Sequence, residues 1–384
     1  VRVLYLTNWF PDPPENGASI RSRALIDALA ETHSVSLVSF QTDVTPTVTE
    51  WSRQLNRVEV LPQPAFRPHS LRSRLGYLSR RPRQFVDTFS PELQSLVSVV
   101  ATEERPDVVV GWGLHMAPYA SSLEVPYVYE MAEFLTPPQD GGGPAGRLRA
   151  QLAWSKHRSY ASRFLRRCAA CTAASESEAE LVRRIEPRTR NVTVVRNGIH
   201  VPAEPVTASV SNPRIVYPGS VTFHPNLDAV RWFADEVLPL IRRRFPEARL
   251  TVTGRVEVEP RFEGVDFAGF VDDIGRFVGE STLCVVPLRE GSGTRLKVLE
   301  ALAVGTPVVS TPKGIEGLDL RAGTEVAIAD DAAAFSGAVL RLLEHPDERS
   351  RLVKAGREAV AERHSWSSIT PGFVELIERV AAAT

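Results

Sequence analysis

Short runs that are apolar at nearly every position alternate along the chain with segments of helical periodicity. Val1–Thr7 is the first run, followed by a predicted helix over about Ser19–Ala30 and by a second run, His33–Phe40. Asp107–Gly113 and Pro126–Tyr129 repeat the pattern, and Ala169–Ser175 and Asn191–Arg196 come after a long basic helix. A strand with one wet face alternates polar and apolar residues. These runs do not alternate, which predicts a parallel sheet covered by helices on both faces.

Pro202–Pro213 is rich in Pro, Ser and Val and reads as a linker. The pattern then restarts: Arg214–Tyr217, a helix over about Leu227–Phe245, Leu250–Gly254, Val265–Phe270, Leu283–Leu288, a helix near Thr294–Val304, and Pro307–Ser310. The predicted fold class is therefore α/β, with two Rossmann-like doubly wound domains facing each other across a cleft. The first takes residues 1–200, a linker 201–213, and the second 214–365, with a C-terminal helix at 366–384 packing back on the first. Ligands of such sheets bind beyond the carboxyl ends of the strands.

Composition adds little until charge is read by segment. The 384 residues carry 45 Lys+Arg against 46 Asp+Glu, a balance that argues against a general nucleic-acid binder. Yet 61–86 holds six arginines and no acid, and 141–175 seven basic residues and no acid. Leu71, Leu75 and Leu78 fall at helical spacing among those arginines, so an amphipathic basic helix on an anionic membrane surface is expected. Three cysteines make no disulfide framework, which points to a cytoplasmic protein, and the basic segments add an expected peripheral place on the inner face of the cell membrane. Cys168 and Cys171 form a lone CxxC with no second pair, and are expected to be buried packing residues.

The segment Val285–Thr311 carries the most chemistry. A buried run ends at Leu288, a loop with Gly291 and Gly293 follows, and a helix begins near Thr294. Glycine lets backbone N–H groups face a ligand and the helix start adds partial positive charge, so the loop predicts an anion site. Arg295 and Lys297 add full charges there, and Glu300 stands where a carboxylate can accept from a ribose diol. Gly17 closes a Pro-rich loop after the first strand. His115, Glu130 and Glu133 follow later strands, and Ser220 and His224 lie in another strand-end loop; all are candidates for sugar or phosphate contacts. Asn197 and Gly198 suit a turn, and the pairs Asp272–Asp273 and Asp330–Asp331 suit helix starts. No DxD pair or His/Cys ligand cluster is found, and no metal is expected.

With VVRNGI (194–199), YPGSVTFHPN (217–226), FAGFVDD (267–273) and GSGTRLKVLEALAVGTPVVST (291–311), the chain resembles the two-lobed retaining glycosyltransferases of family 4, the glycosyl transferases group 1, whose fold is termed GT-B. The resemblance implies a nucleoside-diphosphate sugar donor on the second domain as co-substrate, with no further cofactor, and an acceptor, a glycan or a lipid-linked one, on the first. It implies backbone contacts to the base near Phe270 and Val271, a ribose contact at Glu300, and diphosphate contacts at Arg295, Lys297 and the loop Gly291, Ser292, Gly293, Thr294. Gly17 matches the first-domain loop that approaches the donor phosphate, and His115 a histidine near the transferred sugar. The family's two glutamates have seven residues between them, whereas Glu290 and Glu300 have nine; either Glu290 reaches the sugar through a longer loop or that contact is lost. An Arg/Lys pair common among relatives is replaced by Ser220 and His224. The expected activity is metal-independent sugar transfer to an acceptor hydroxyl with retention, in glycan, glycolipid or envelope polysaccharide synthesis. A GT-B epimerase and a non-catalytic nucleotide-sugar binder are the alternatives.

Overall fold

The computed structural model describes residues 1–14, 17–41, 49–130, 143–206, 214–256, 261–291 and 295–383. Glu133, Ser292, Gly293, Thr294 and the 207–213 part of the expected linker lie outside the described residues.

Two compact units are present, Val1–Arg196 with Ile369–Thr384, and Asn197–Ser368. The first opens with β1 (Arg2–Thr7), α1 (Gly17–Ala30), β2 (Ser34–Gln41) and β3 (Arg57–Pro62). Three short-loop helices follow, α2 (Leu71–Leu75), α3 (Arg83–Asp87) and α4 (Pro91–Glu104), leading to β4 (Val108–Trp112) and α5 (Gly113–Ala120). β5 (Tyr127–Glu130), α6 (Gly143–Leu165), β6 (Ala170–Ala173), α7 (Glu176–Ile185) and β7 (Val192–Val194) complete the seven-stranded sheet, ordered β3-β2-β1-β4-β5-β6-β7. Every pairing is parallel. Val3, Tyr5, Val108 and Val110 point to one face and Leu4, Leu6 and Val109 to the other, each inside its own apolar cluster. That two-sided burial is why the runs show no alternation.

The second unit has β8 (Arg214–Pro218), α8 (His224–Trp232), α9 (Leu238–Arg242), β9 (Arg249–Thr253), β10 (Val265–Gly269), α10 (Ile274–Gly279) and β11 (Leu283–Val286). α11 (Leu296–Val304), β12 (Val308–Ser310), β13 (Ala327–Ile328), α12 (Ala332–Glu344) and α13 (Pro346–Arg363) follow, and the sheet runs β10-β9-β8-β11-β12-β13, again parallel. The last helix, α14 (Trp366–Ala382), returns to the first unit, where Phe373, Leu376, Ile377 and Val380 join the cluster beneath β1, β2 and β4.

Three local differences from the sequence pattern have physical causes. The single helix expected over Leu227–Phe245 is broken by a π-type turn at Phe233–Val237. Pro239 has no N–H to close the α-turn onto residue 235, and the ladder widens just before it. β3 escapes the apolar-run criterion because it is an edge strand whose Arg57 pairs with Glu59 and Glu103. The amphipathic helix expected through Leu78 ends at Leu75, with Gly76 as its C-cap. A Cβ on Gly76 would lie 2.7 Å from the Arg83 Cα, so α3 closes over that position and the chain turns away.

In each sheet the strand order reverses between two strands that carry the first and a later βα unit: β1 and β4, then β8 and β11. The loops leaving these strands diverge, and the crevice they leave is where this class of sheet binds ligands.

Candidate functional site

In the second unit the loops leaving β8 and β11 bring most of the expected residues together. β8 ends at Tyr217 and Pro218, and Gly219 follows at φ 151°. A side chain at 219 would place its Cβ 2.8 Å from the Lys297 Nζ, so only glycine leaves the ammonium its room. Lys297 sits in the first turn of α11 and donates to the Tyr217 hydroxyl at 2.8 Å and to Asn226 Oδ1 at 3.0 Å. Its nitrogen also lies 4.2 Å from the centroid of the Tyr217 ring. Burial pushes the lysine down to about 8, only partly offset by the acidic groups Cys284 and Glu300. Such a depressed amine is what a charge stripped of water shows when the acids around it do not make up for the lost hydration.

Arg295, the residue before α11, is 6 % exposed and donates from Nη2 to the Gly291 carbonyl at 2.9 Å. The Glu316 carboxylate lies 3.7 Å from the same Nη2. Burial lowers the pKa of Arg295 as well. Ser220 donates to the Arg255 carbonyl at 2.8 Å, which ties the loop after β8 to that after β9.

Glu290 and His224 do not stand free. The His224 Nδ1 and Glu290 Oε1 are 2.7 Å apart, and Arg289 and Asp228 form an ion pair at 2.7 Å, so two contacts join Arg289 and Glu290 to α8.

One turn beyond Lys297, Glu300 borders a cavity of about 360 Å³ whose walls include Ile199, Pro202, Ile274, Val278 and Val304. Burial raises the Glu300 carboxyl, and Lys297 draws it back down. Phe270, 76 % exposed, and Val271 follow β10 immediately before the α10 residues that form another wall. A buried lysine and arginine thus stand at the head of α11, with a carboxylate one turn on and a largely apolar cavity beside it.

In the first unit His115 lies in the first turn of α5, with the Phe85 ring edge-on at 4.8 Å. A recess of about 50 Å³ opens there, lined by Asn8, Phe40, Gln63, Phe85, Phe89 and Tyr119 among others, with no acid or arginine among the described residues of its wall. Phe89 stacks on Tyr119 at 5.2 Å and 6°. Gly17 is exposed at the start of α1. Glu130, expected to contact sugar hydroxyls, does not: it is fully buried and accepts from the Arg21 Nε at 2.7 Å. Arg21, 2 % exposed, also donates to the Val195 carbonyl at 2.7 Å and to that of Arg196 at 3.2 Å. Arg21 therefore ties α1 to the end of β5 through Glu130 and to the residues that follow β7. Cys168 and Cys171 are buried thiols, and burial holds both well above their ordinary pKa.

Sequence reasoning missed Tyr217, Asn226 and Arg21. The first two end the quoted stretch YPGSVTFHPN, so the signal was present at its two boundaries. Nothing local marks Arg21, whose partners lie 109 and 174 residues away.

The basic stretches share one surface. Lys156 on α6 donates to the Gly76 carbonyl at 2.7 Å, which sets α6 beside α2. Leu71, Leu75, Tyr77 and Leu78 are exposed there, Leu78 to 89 %, as are Leu148 and Leu152 on α6. Among the described residues no helix is long and apolar enough to cross a membrane.

The fold and the loop geometry define a class. Sucrose-phosphate synthase from Thermosynechococcus elongatus superposes with a TM-score of 0.67 over 100 % of both chains at 18 % identity. HepE of Anabaena in complex with UDP does so with a TM-score of 0.63, over 99 % of this chain and 100 % of that one, at 15 % identity. The fold is GT-B. Family models narrow it further: "Glycosyl transferases group 1" matches residues 212–345 and "Glycosyl transferase 4-like domain" residues 16–198. The chain belongs to the group 1 glycosyltransferases. Over 202 residues it is 30 % identical to a phosphatidyl-myo-inositol mannosyltransferase of Propionibacterium freudenreichii subsp. shermanii, across 48 % of this chain and 50 % of that protein. The chain thus spans about half the length of that curated relative.

Proposed function

We propose that the protein transfers a sugar from a nucleoside-diphosphate sugar to an acceptor hydroxyl, with retention of configuration and without a metal. The observation that carries this is the Lys297 ammonium, desolvated and directed by Tyr217 and Asn226 into the crevice where the strand order reverses. As the donor's glycosidic bond breaks, negative charge grows on the diphosphate. Lys297 and Arg295 are fixed in place to meet it, and a preorganised cation stabilises developing charge better than water that must reorient. Glu300 binds the ribose and the adjoining apolar slot the base. No carboxylate of this chain is assigned as nucleophile; the donor's own phosphate oxygen takes the acceptor proton on the face that the leaving group vacates.

The acceptor is bound by the first unit, on a surface that includes the mouth of the small recess at His115. The Phe85, Phe89 and Tyr119 rings on the wall of that recess suit stacking on a sugar ring. The arginine-rich surface of α2 and α6 faces an anionic membrane, on the inner face of the cell membrane, and the acceptor is a glycan carried on a lipid there. Support comes from seven of the eleven exposed large apolar side chains among the described residues lying on 66–78 and α6.

A panel of nucleotide sugars tests the donor reading. The true donor at 100 times its Kd stabilises the protein by about 2.7 kcal/mol. Lys297→Ala lowers turnover by about a hundredfold or more while the circular dichroism spectrum is unchanged. Unchanged turnover in that variant removes Lys297 from the mechanism, and conversion of donor without an acceptor replaces transfer by epimerisation or hydrolysis.

A further inference from the structure

Lys297 is held by two side chains that need not touch the donor. The Tyr217 hydroxyl donates to Asn226 Oδ1 at 2.7 Å, and Lys297 donates to both of these atoms. Asn226 Nδ2 donates to the Ser220 carbonyl at 2.7 Å, which decides which way the amide points: its oxygen faces the lysine and its nitrogen the loop. Tyr217 is fully buried on β8, so its ring forms a fixed floor under the ammonium. Two of the three N–H groups are thereby committed, and the third has no partner among the described residues. Other titratable groups facing the amine are the Cys284 thiol on β11 and, on the α11 segment itself, Glu300 and Arg295.

We propose that Tyr217 and Asn226 are positioning residues: together they aim the Lys297 ammonium at the donor's phosphate and keep it charged in a site that has removed its water. The inference rests on the reading of Lys297 given above. A buried amine with no oxygen to donate to sheds its proton, since desolvation penalises only the charged form. Two neutral oxygens at 2.8 and 3.0 Å counter that penalty without neutralising the charge, so the ammonium remains available to a diphosphate. A carboxylate in place of Asn226 would hold the proton more firmly but would compete with the donor for the cation. An amide is the compromise between the two demands. The arrangement also accounts for the residue between them in space: a Cβ at Gly219 would approach both the Lys297 Nζ, at 2.8 Å, and the Asn226 Nδ2, at 3.1 Å.

The test is the alkaline limb of kcat/KM for the donor, followed in Tyr217→Phe, Asn226→Ala and Asn226→Asp. The first two remove an acceptor, so the limb moves to lower pH and donor KM rises. Asn226→Asp adds a negative charge in contact with the amine, so the limb moves up by about one unit or more while donor affinity at neutral pH drops. Opposite movements in near-isosteric variants are not produced by a general loss of folding. Limbs that stay put, or move the same way in Asn226→Ala and Asn226→Asp, overturn the positioning role. Lys297→Ala run beside them separates the two readings. If it binds donor as the parent does, the donor assignment falls; if it fails to bind while the other variants leave the limb unmoved, only the present inference falls.

Discussion

A lysine in water and Lys297 differ in one respect that chemistry can read, the free energy of carrying a charge. Burial brings the amine down to about 8, below the ordinary lysine value of about 10.4. A bound diphosphate favours the ammonium and raises that value again. On the proposed contact, donor binding between the two is expected to take up a proton, so affinity is full below about pH 8 and falls by up to about tenfold per unit above it. Lys297→Arg keeps the charge at all accessible pH and abolishes the limb, whatever it does to the absolute rate. A parent profile flat to about pH 10 would mean that Lys297 does not contact the donor. The other residues of the loop divide by reach. Arg295, Lys297 and Glu300 lie along one stretch of α11 and its start, and helical spacing made them legible together. Glu130 was misread because a carboxylate at a strand end looks the same in sequence whether it faces solvent or, as here, a buried guanidinium.

At the scale of elements, α2 shows how little secondary structure a surface needs. It is a five-residue helix, too short to be stable alone, held because Asp87 accepts from the Arg67 N–H and the Ser70 hydroxyl and because Arg83 reaches Ser73 at 3.0 Å. What it presents is a set of exposed leucines with arginines between them. If that surface rests on an anionic bilayer, each basic residue near the lipid contributes about 1 kcal/mol. Arg74→Ser with Arg80→Ser then weakens binding to vesicles of acidic phospholipid about thirtyfold at low salt, and raised salt weakens the parent in the same sense. Leu71→Ser with Leu78→Ser lowers binding without changing the salt slope. Equal co-sedimentation of all three proteins with acidic and neutral vesicles would discard this surface as the membrane contact.

The whole molecule is two units crossed twice by the chain, after Arg196 and after Ser368. The second crossing matters for stability. α14 gives Phe373, Leu376, Ile377 and Val380 to the cluster under β1, β2 and β4, and its Glu378 lies 3.3 Å from the His33 Nε2. Fully burying one such side chain contributes about 1.5–3 kcal/mol, so four approach the entire stability of a typical domain. A chain ended at Ser368 is expected to lose the cooperative unfolding transition of the first unit by calorimetry and to retain that of the second. The donor then still raises the remaining transition. Two intact transitions in the shortened chain would show that α14 is dispensable.

By itself the sequence determined the layered α/β class, the restart of the pattern after the linker, and the basic stretch at the head of α11. Each follows from local rules: burial on both faces removes alternation, a glycine loop before a helix marks an anion site, and helical spacing groups its charges. Tertiary structure alone decided which groups work on one another. Tyr217 and Asn226 reach Lys297 across 80 and 71 residues, and Arg21 reaches Glu130 and Val195 across 109 and 174. Contacts of that span are set by where parallel strands are placed in the sheet, and strand order is a property of the packed whole, which no window of sequence contains.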